Sequence, residues 1–127
     1  MSFAIVLFAH GSRDPLWRRP IEAVASRIAE RAPQVRVSCA YLELTPPDLP
    51  TAAAALVAQG ATQITVLPMF LGVGKHARDD LPVLLTHLRA LYPTVTFELA
   101  RAVGEDPRLI DQLAQIALTP RTDETLQ

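Results

Sequence analysis

With 127 residues, half of them apolar and a fifth charged, the chain is long enough for one hydrophobic core and too short for two. Its 12 Lys and Arg against 13 Asp and Glu give a net charge of −1, which removes the electrostatic case for a nucleic-acid partner or an anionic membrane. A single cysteine, Cys39, excludes an intramolecular disulfide framework and any cysteine-rich metal centre, and reads as a small buried thiol.

The first predicted element, residues 3–9 (FAIVLFA), is an unbroken apolar run of strand length. The N-terminus has no basic segment, its apolar run is too short to span a bilayer and no small-residue cleavage site follows, so a cytoplasmic protein without membrane attachment is expected. Asp14 and Pro15 then read as a helix start. Trp17, Ile21, Val24, Ala25 and Ile28 follow at three- and four-residue steps, the stripe of a helix lying on a sheet, with Trp17 as its large core contact.

A second strand is predicted at 35–42 (VRVSCAYL), then an Ala-rich helix that Asp48-Leu49-Pro50 opens and Gly60 closes. The third strand, 62–70 (TQITVLPMF), is almost continuously apolar, with Pro68 marking where its ladder ends. Leu81, Leu84, Leu85 and Leu88 form the next helical stripe, which a second Asp-Leu-Pro at 80–82 is expected to open. His87 lies mid-helix, away from the strand ends. The fourth strand, 94–100 (TVTFELA), alternates throughout. Asp106 and Pro107 then cap a last helix striped by Leu109, Ile110, Leu113 and Ile116. Residues 1–117 form a single domain in this reading, and 118–127 a polar, frayed tail.

Four strand-helix repeats imply parallel strands with right-handed crossovers. Strands buried on both faces are continuously apolar and edge strands alternate, so the first and third strands are central and the second and fourth are edges. The expected fold is a three-layer α/β/α sandwich with a four-stranded parallel sheet of order 2-1-3-4.

In such a sheet every strand-to-helix loop leaves from one edge, where ligands bind. The ends of strands one, two and three deliver His10, Glu43 and His76. Two imidazoles and a carboxylate form a set suited to a divalent metal or to proton transfer. In FLGVGKHARDD, Gly72 and Gly74 allow positive φ and close approach of a ligand, while Lys75 and Arg78 place cations beside His76. In AHGSRDP, Gly11 frees the backbone, Ser12 can cap or bind an anion, and Arg13 offers a fork to a carboxylate. A solvated, glycine-bearing turn explains the same loops if no ligand is bound.

Taken together, AHGSRDP, YLELTPPDLP, PMFLGVGKHARDDLP and GEDPRL resemble the short CbiX-type sirohydrochlorin chelatases, members of the class II chelatases, from about residue 4 to about residue 117. The resemblance implies a chelatase-like, flavodoxin-like half. It also implies insertion of a divalent metal, Co²⁺ or Fe²⁺, into sirohydrochlorin, a tetrapyrrole with eight carboxylates, in cobalamin or siroheme biosynthesis. No permanently bound cofactor is implied; the ion, with Ni²⁺ a further choice, is a substrate. His10, Glu43 and His76 are then catalytic and metal-binding, His10 accepting a pyrrole proton. Leu71, Gly72, Val73, Gly74 and Lys75 contact the macrocycle, and Ser12, Arg13 and Arg78 answer its carboxylates. Longer relatives carry two such halves in one chain, so a homodimer with facing clefts is expected here. The competing readings are a tetrapyrrole or metal carrier without turnover and, more remotely, a histidine phosphatase, in which an Arg precedes the histidine where this chain has Ala9.

Overall fold

The computed structural model describes residues 2–122. In chain order it contains β1 (Phe3–Ala9), α1 (Arg19–Arg31), β2 (Arg36–Tyr41), α2 (Leu49–Ala58), β3 (Gln63–Pro68), α3 (Lys75–Leu91), β4 (Thr96–Leu99) and α4 (Pro107–Leu118). The strands are parallel and ordered β2-β1-β3-β4, as the hydrophobic pattern predicts. β3 ends on Pro68, where a missing N–H costs the ladder least.

The two faces of the sheet are covered unequally. On one face Phe8, Ile64, Val66 and Phe97 meet α2 and α3 in the main core, together with Leu49, Ala53, Leu56, Leu81, Leu85 and Leu88. The alanines of α2 let that helix sit close to the strands. Asp48 caps α2 by accepting from the Thr51 N–H, and α2 closes at Gly60 with backbone bonds from Gly60 to Val57 and from Ala61 to Leu56, as a glycine stop should.

The opposite face holds a smaller cluster of Leu7, Ala9, Ile21 and Tyr41 under α1. There β3 is open: its residues alternate buried and half-buried instead of being covered on both sides. The reason lies in α4. Its predicted stripe forms on a helix that buries no residue, with Ile110, Leu113 and Ile116 exposed. Between α4 and the half-buried Leu67 and Met69 lies an open groove of about 480 Å³. Among the described residues the third layer expected from sequence is therefore only partly packed.

Two helix starts and one helix end differ from expectation. Asp14 and Pro15 do not open α1: the Asp14 carboxylate accepts from the Leu16 N–H in a turn, and α1 begins at Arg19 with Pro20 in its first turn. Trp17 consequently precedes the helix and rests on Tyr41, partly exposed. Asp80-Leu81-Pro82 lies inside α3, which starts five residues earlier behind Gly74. The apolar stripe extends the helix backwards past the Pro, so the two Asp-Leu-Pro segments do different work. α4 includes Leu118, the first residue of the expected tail, and residues 123–127 of that tail lie outside the described residues.

Candidate functional site

The loops after β1 and β2 continue the pairing of the two strands beyond their ends. The Leu42 N–H donates to the Ala9 carbonyl at 2.9 Å and the Glu43 N–H to the His10 carbonyl at 3.0 Å. Gly11 follows with φ 105°, a left-handed conformation, and lies so close to Glu43 that a Cβ would run into the Glu43 carbonyl. Glycine is required there on two counts. Next, the Ser12 N–H donates to the Thr45 hydroxyl at 3.1 Å, and that hydroxyl donates to the Ser12 carbonyl at 2.7 Å.

From these joined backbones the His10 and Glu43 side chains emerge together, with Nε2 and Oε1 3.6 Å apart. The His10 ring meets Phe70 edge-on, centroids 6.1 Å apart, and Phe70 in turn meets Phe8. Phe70 is thus an apolar stop behind the imidazole, a neighbour that its place at the end of an apolar run did not disclose.

After β3 the chain crosses residues 71–74 and enters α3 at Lys75, with Gly74 extended at the N-cap position. His10, Leu42, Phe70, Gly72, Gly74, Lys75 and His76 line one cleft of about 210 Å³. The two predicted histidines therefore share a cleft, with Glu43 at His10. They do not form a closed cage: among the described residues no three His, Cys, Asp or Glu side chains gather as a ready-made metal centre. His76 is held off by its position in the first turn of a helix, whereas His10 and Glu43 stand on paired backbones.

Gly72 and Gly74 do not use the positive φ that glycine allows; both have open space where a side chain would stand. Their value is a bare backbone wall, consistent with the expected close approach of a ligand. Gly104, which the sequence reading did not single out, has the close packing. A Cβ on it would strike the Leu71 carbonyl, and its N–H donates to the Phe70 carbonyl at 2.9 Å. The Gly-Glu-Asp-Pro segment that precedes α4 thereby anchors the loop after β3.

The remaining candidates separate. Arg78 does not line the histidine cleft: it borders a neighbouring cavity of about 140 Å³ with Val73, Ala77, Leu81 and Glu105. Residues two apart on a helix point about 200° from each other, so His76 and Arg78 cannot share one wall. Leu71 is exposed and lines neither cavity. The Ser12 hydroxyl accepts from the Asp14 N–H, so it acts as a turn cap, and Arg13 is exposed beside it. His87, mid-helix on α3 as expected, lies exposed. Cys39 is half-buried rather than buried, and burial raises its thiol pKa, which makes it a poor nucleophile or ligand.

A parallel sheet of order 2-1-3-4, with one histidine directly after β1, a second in the first turn of the helix that follows β3, and a glycine-walled cleft that both line, defines an α/β protein with a strand-edge ligand site. The chain belongs to the CbiX family, which it matches over residues 4–118. It is 34% identical over 82 residues to a sirohydrochlorin cobaltochelatase of Methanococcus aeolicus, a match covering 65% of this chain and a little over half, 57%, of that protein. A sirohydrochlorin cobaltochelatase of Sulfolobus acidocaldarius is 27% identical over 113 residues, 89% of this chain and 88% of that one. A sirohydrochlorin ferrochelatase of Bacillus subtilis is 29% identical over 110 residues, 87% of this chain but 42% of the relative. Among solved structures, a CbiX protein from Marinobacter aquaeolei VT8 superposes with a TM-score of 0.77 at 35% identity, covering 91% of this chain and 94% of that chain.

Proposed function

We propose that this chain is a cytoplasmic sirohydrochlorin chelatase that inserts Co²⁺ or Fe²⁺ into the macrocycle. The observation that carries the reading is the His10–Glu43 pair, 3.6 Å apart, at a glycine-walled cleft that His76 also lines. Relatives named sirohydrochlorin cobaltochelatase and ferrochelatase support the substrate class.

Insertion replaces two pyrrole protons with one dication, so the site must remove protons while presenting an ion that it does not keep. His10 supplies a neutral nitrogen to the ion or accepts a pyrrole proton, and Glu43 stabilises the resulting imidazolium. Both side chains are more than half exposed, which lets the proton leave to water. His76 approaches the ion from across the cleft. An open, incomplete donor set suits this chemistry, because a closed four-ligand cage would retain the metal as structural sites do. Lys75 and, at the rim, Arg13 attract the substrate's carboxylates, while Gly72 and Gly74 let the ring lie against backbone. Arg78 and Ser12 are left a smaller part, since one borders another cavity and the other caps a turn.

The working unit is a homodimer. A cleft of about 210 Å³ is smaller than the roughly 300–1,000 Å³ usual for small-molecule sites, so one protomer offers a tetrapyrrole only one wall. The B. subtilis relative, of which the matched stretch covers 42%, has room for a second such unit in one chain. The exposed stripe of α4 supplies apolar surface for a second copy.

Anaerobic absorbance assays with sirohydrochlorin and Co²⁺, Fe²⁺ or Ni²⁺, each corrected for spontaneous insertion, test the activity and the metal together. Acceleration with cobalt or iron is expected. No acceleration with any ion overturns the reading, and tight macrocycle binding without turnover favours a carrier. A monomeric mass at full activity overturns the dimer.

A further inference from the structure

We propose that Thr45 is a positioning residue for the His10–Glu43 pair, an assignment that rests on the functional reading of that pair given above. An ion pair between two solvent-exposed side chains contributes little and is easily exchanged for water. With side chains 60% and 56% exposed, His10 and Glu43 cannot hold their own geometry. It must be imposed by the backbones that carry them.

Those backbones are tied on both sides of the pair. Before it, the Leu42 N–H donates to the Ala9 carbonyl, and at the pair itself the Glu43 N–H donates to the His10 carbonyl. After it, the Thr45 hydroxyl takes the Ser12 N–H and gives its proton to the Ser12 carbonyl. A hydroxyl is suited to this because one oxygen both donates and accepts. Thr45 is also fixed on its own strand side: its N–H donates to the Glu43 carbonyl at 2.7 Å, around Leu44 at φ 66°. The same carbonyl is the one against which Gly11 lies. At 8% exposure Thr45 is the one buried polar residue among the described residues, so water does not readily substitute for it. The hydroxyl therefore aligns the two loops that carry His10 and Glu43, and with them the relative placement of the pair.

The experiment compares Thr45→Val, which keeps the shape and removes both hydrogen bonds, with Thr45→Ser, which restores them. In the free protein, hydrogen exchange at the Ser12 and Glu43 amides should accelerate at least about tenfold in Thr45→Val and stay near wild type in Thr45→Ser. In steady-state insertion assays Thr45→Val should lower kcat about 10–100-fold, the range seen when partners that orient metal ligands are removed, while KM for the macrocycle changes less than about twofold. Thr45→Ser should recover most of the rate. Unchanged exchange and rate in Thr45→Val, equal loss in both variants, or a loss confined to KM overturns the proposal. Wild-type protein that inserts no ion overturns the functional reading and any role of Thr45 in insertion, while the exchange rates still decide whether Thr45 ties the loops. Should Thr45→Val fail to fold, Thr45→Ala examined with Thr45→Ser answers the same question.

Discussion

The loops after β1 and β2 are joined by backbone bonds, a left-handed glycine and a buried hydroxyl, whereas residues 71–74 after β3 are largely exposed and carry two glycines with open space around them. One side of the cleft is built to hold two side chains in place; the other leaves room for something to lie against it. The difference matches the two demands of the proposed metal insertion. Proton removal and ion delivery need fixed groups, because a displacement of about 1 Å can cost two orders of magnitude in rate. Holding a large, flexible-armed ring needs bare backbone and adaptable cations such as Lys75.

The fixed side of the cleft depends most on His10. His10→Ala should lower kcat for insertion by about 10²–10⁴, the usual contribution of a positioned base, while binding of sirohydrochlorin, followed by its absorbance, changes little. Loss of macrocycle affinity in step with the rate would place His10 on the ring-holding side instead. Gly11→Ala comes next. It combines a forbidden conformation with a collision against the Glu43 carbonyl, so we expect a loss of about 3 kcal/mol or more in chemical denaturation. In contrast, Gly72→Ala, where space is open, should leave stability within about 0.5 kcal/mol and act on the ring alone.

A smaller effect is expected on the open side of the cleft. Lys75→Ala should raise KM for the macrocycle about three- to tenfold with kcat nearly unchanged, and the increase should shrink in high salt, which screens exposed charges. The smallest effect is expected at the start of α4. There the Arg108 guanidinium and the Arg108 N–H both donate to the Asp106 carboxylate and lower its pKa to about 2. A carboxylate with a depressed folded-state pKa stabilises above its unfolded value and loses that contribution as pH falls through the folded one. α4 should therefore loosen between about pH 4 and pH 2, visible as a modest loss of helical signal that Asp106→Asn abolishes.

The unequal faces of the sheet show where pattern reading succeeds and where it stops. The apolar runs of β1 and β3 and the alternation in β2 and β4 were sufficient to order the sheet, because the pattern of strand burial is a local consequence of residue type. The stripe of α4 was equally legible, yet what it covers was not. A stripe records that a face wants burial, not that the same chain provides it, and Ile110, Leu113 and Ile116 stay exposed. The second Asp-Leu-Pro misled for a related reason: Asp80 and Pro82 have helix-start chemistry, but the helix already runs from Lys75.

By itself the sequence determined the order of the strands, the edge at which the loops emerge and the arrival of His10, Glu43 and His76 there. The loop edge follows from chain direction within each strand-helix unit, and the order from comparing the apolar patterns of the four strands. Only the tertiary structure decided that Glu43 stands beside His10 while His76 keeps its distance, that Arg78 faces another cavity, and that Gly104 and Phe70 support the site. Those outcomes depend on contacts between loops far apart in the chain and on the rotation of a helix about its axis, neither of which residue spacing records.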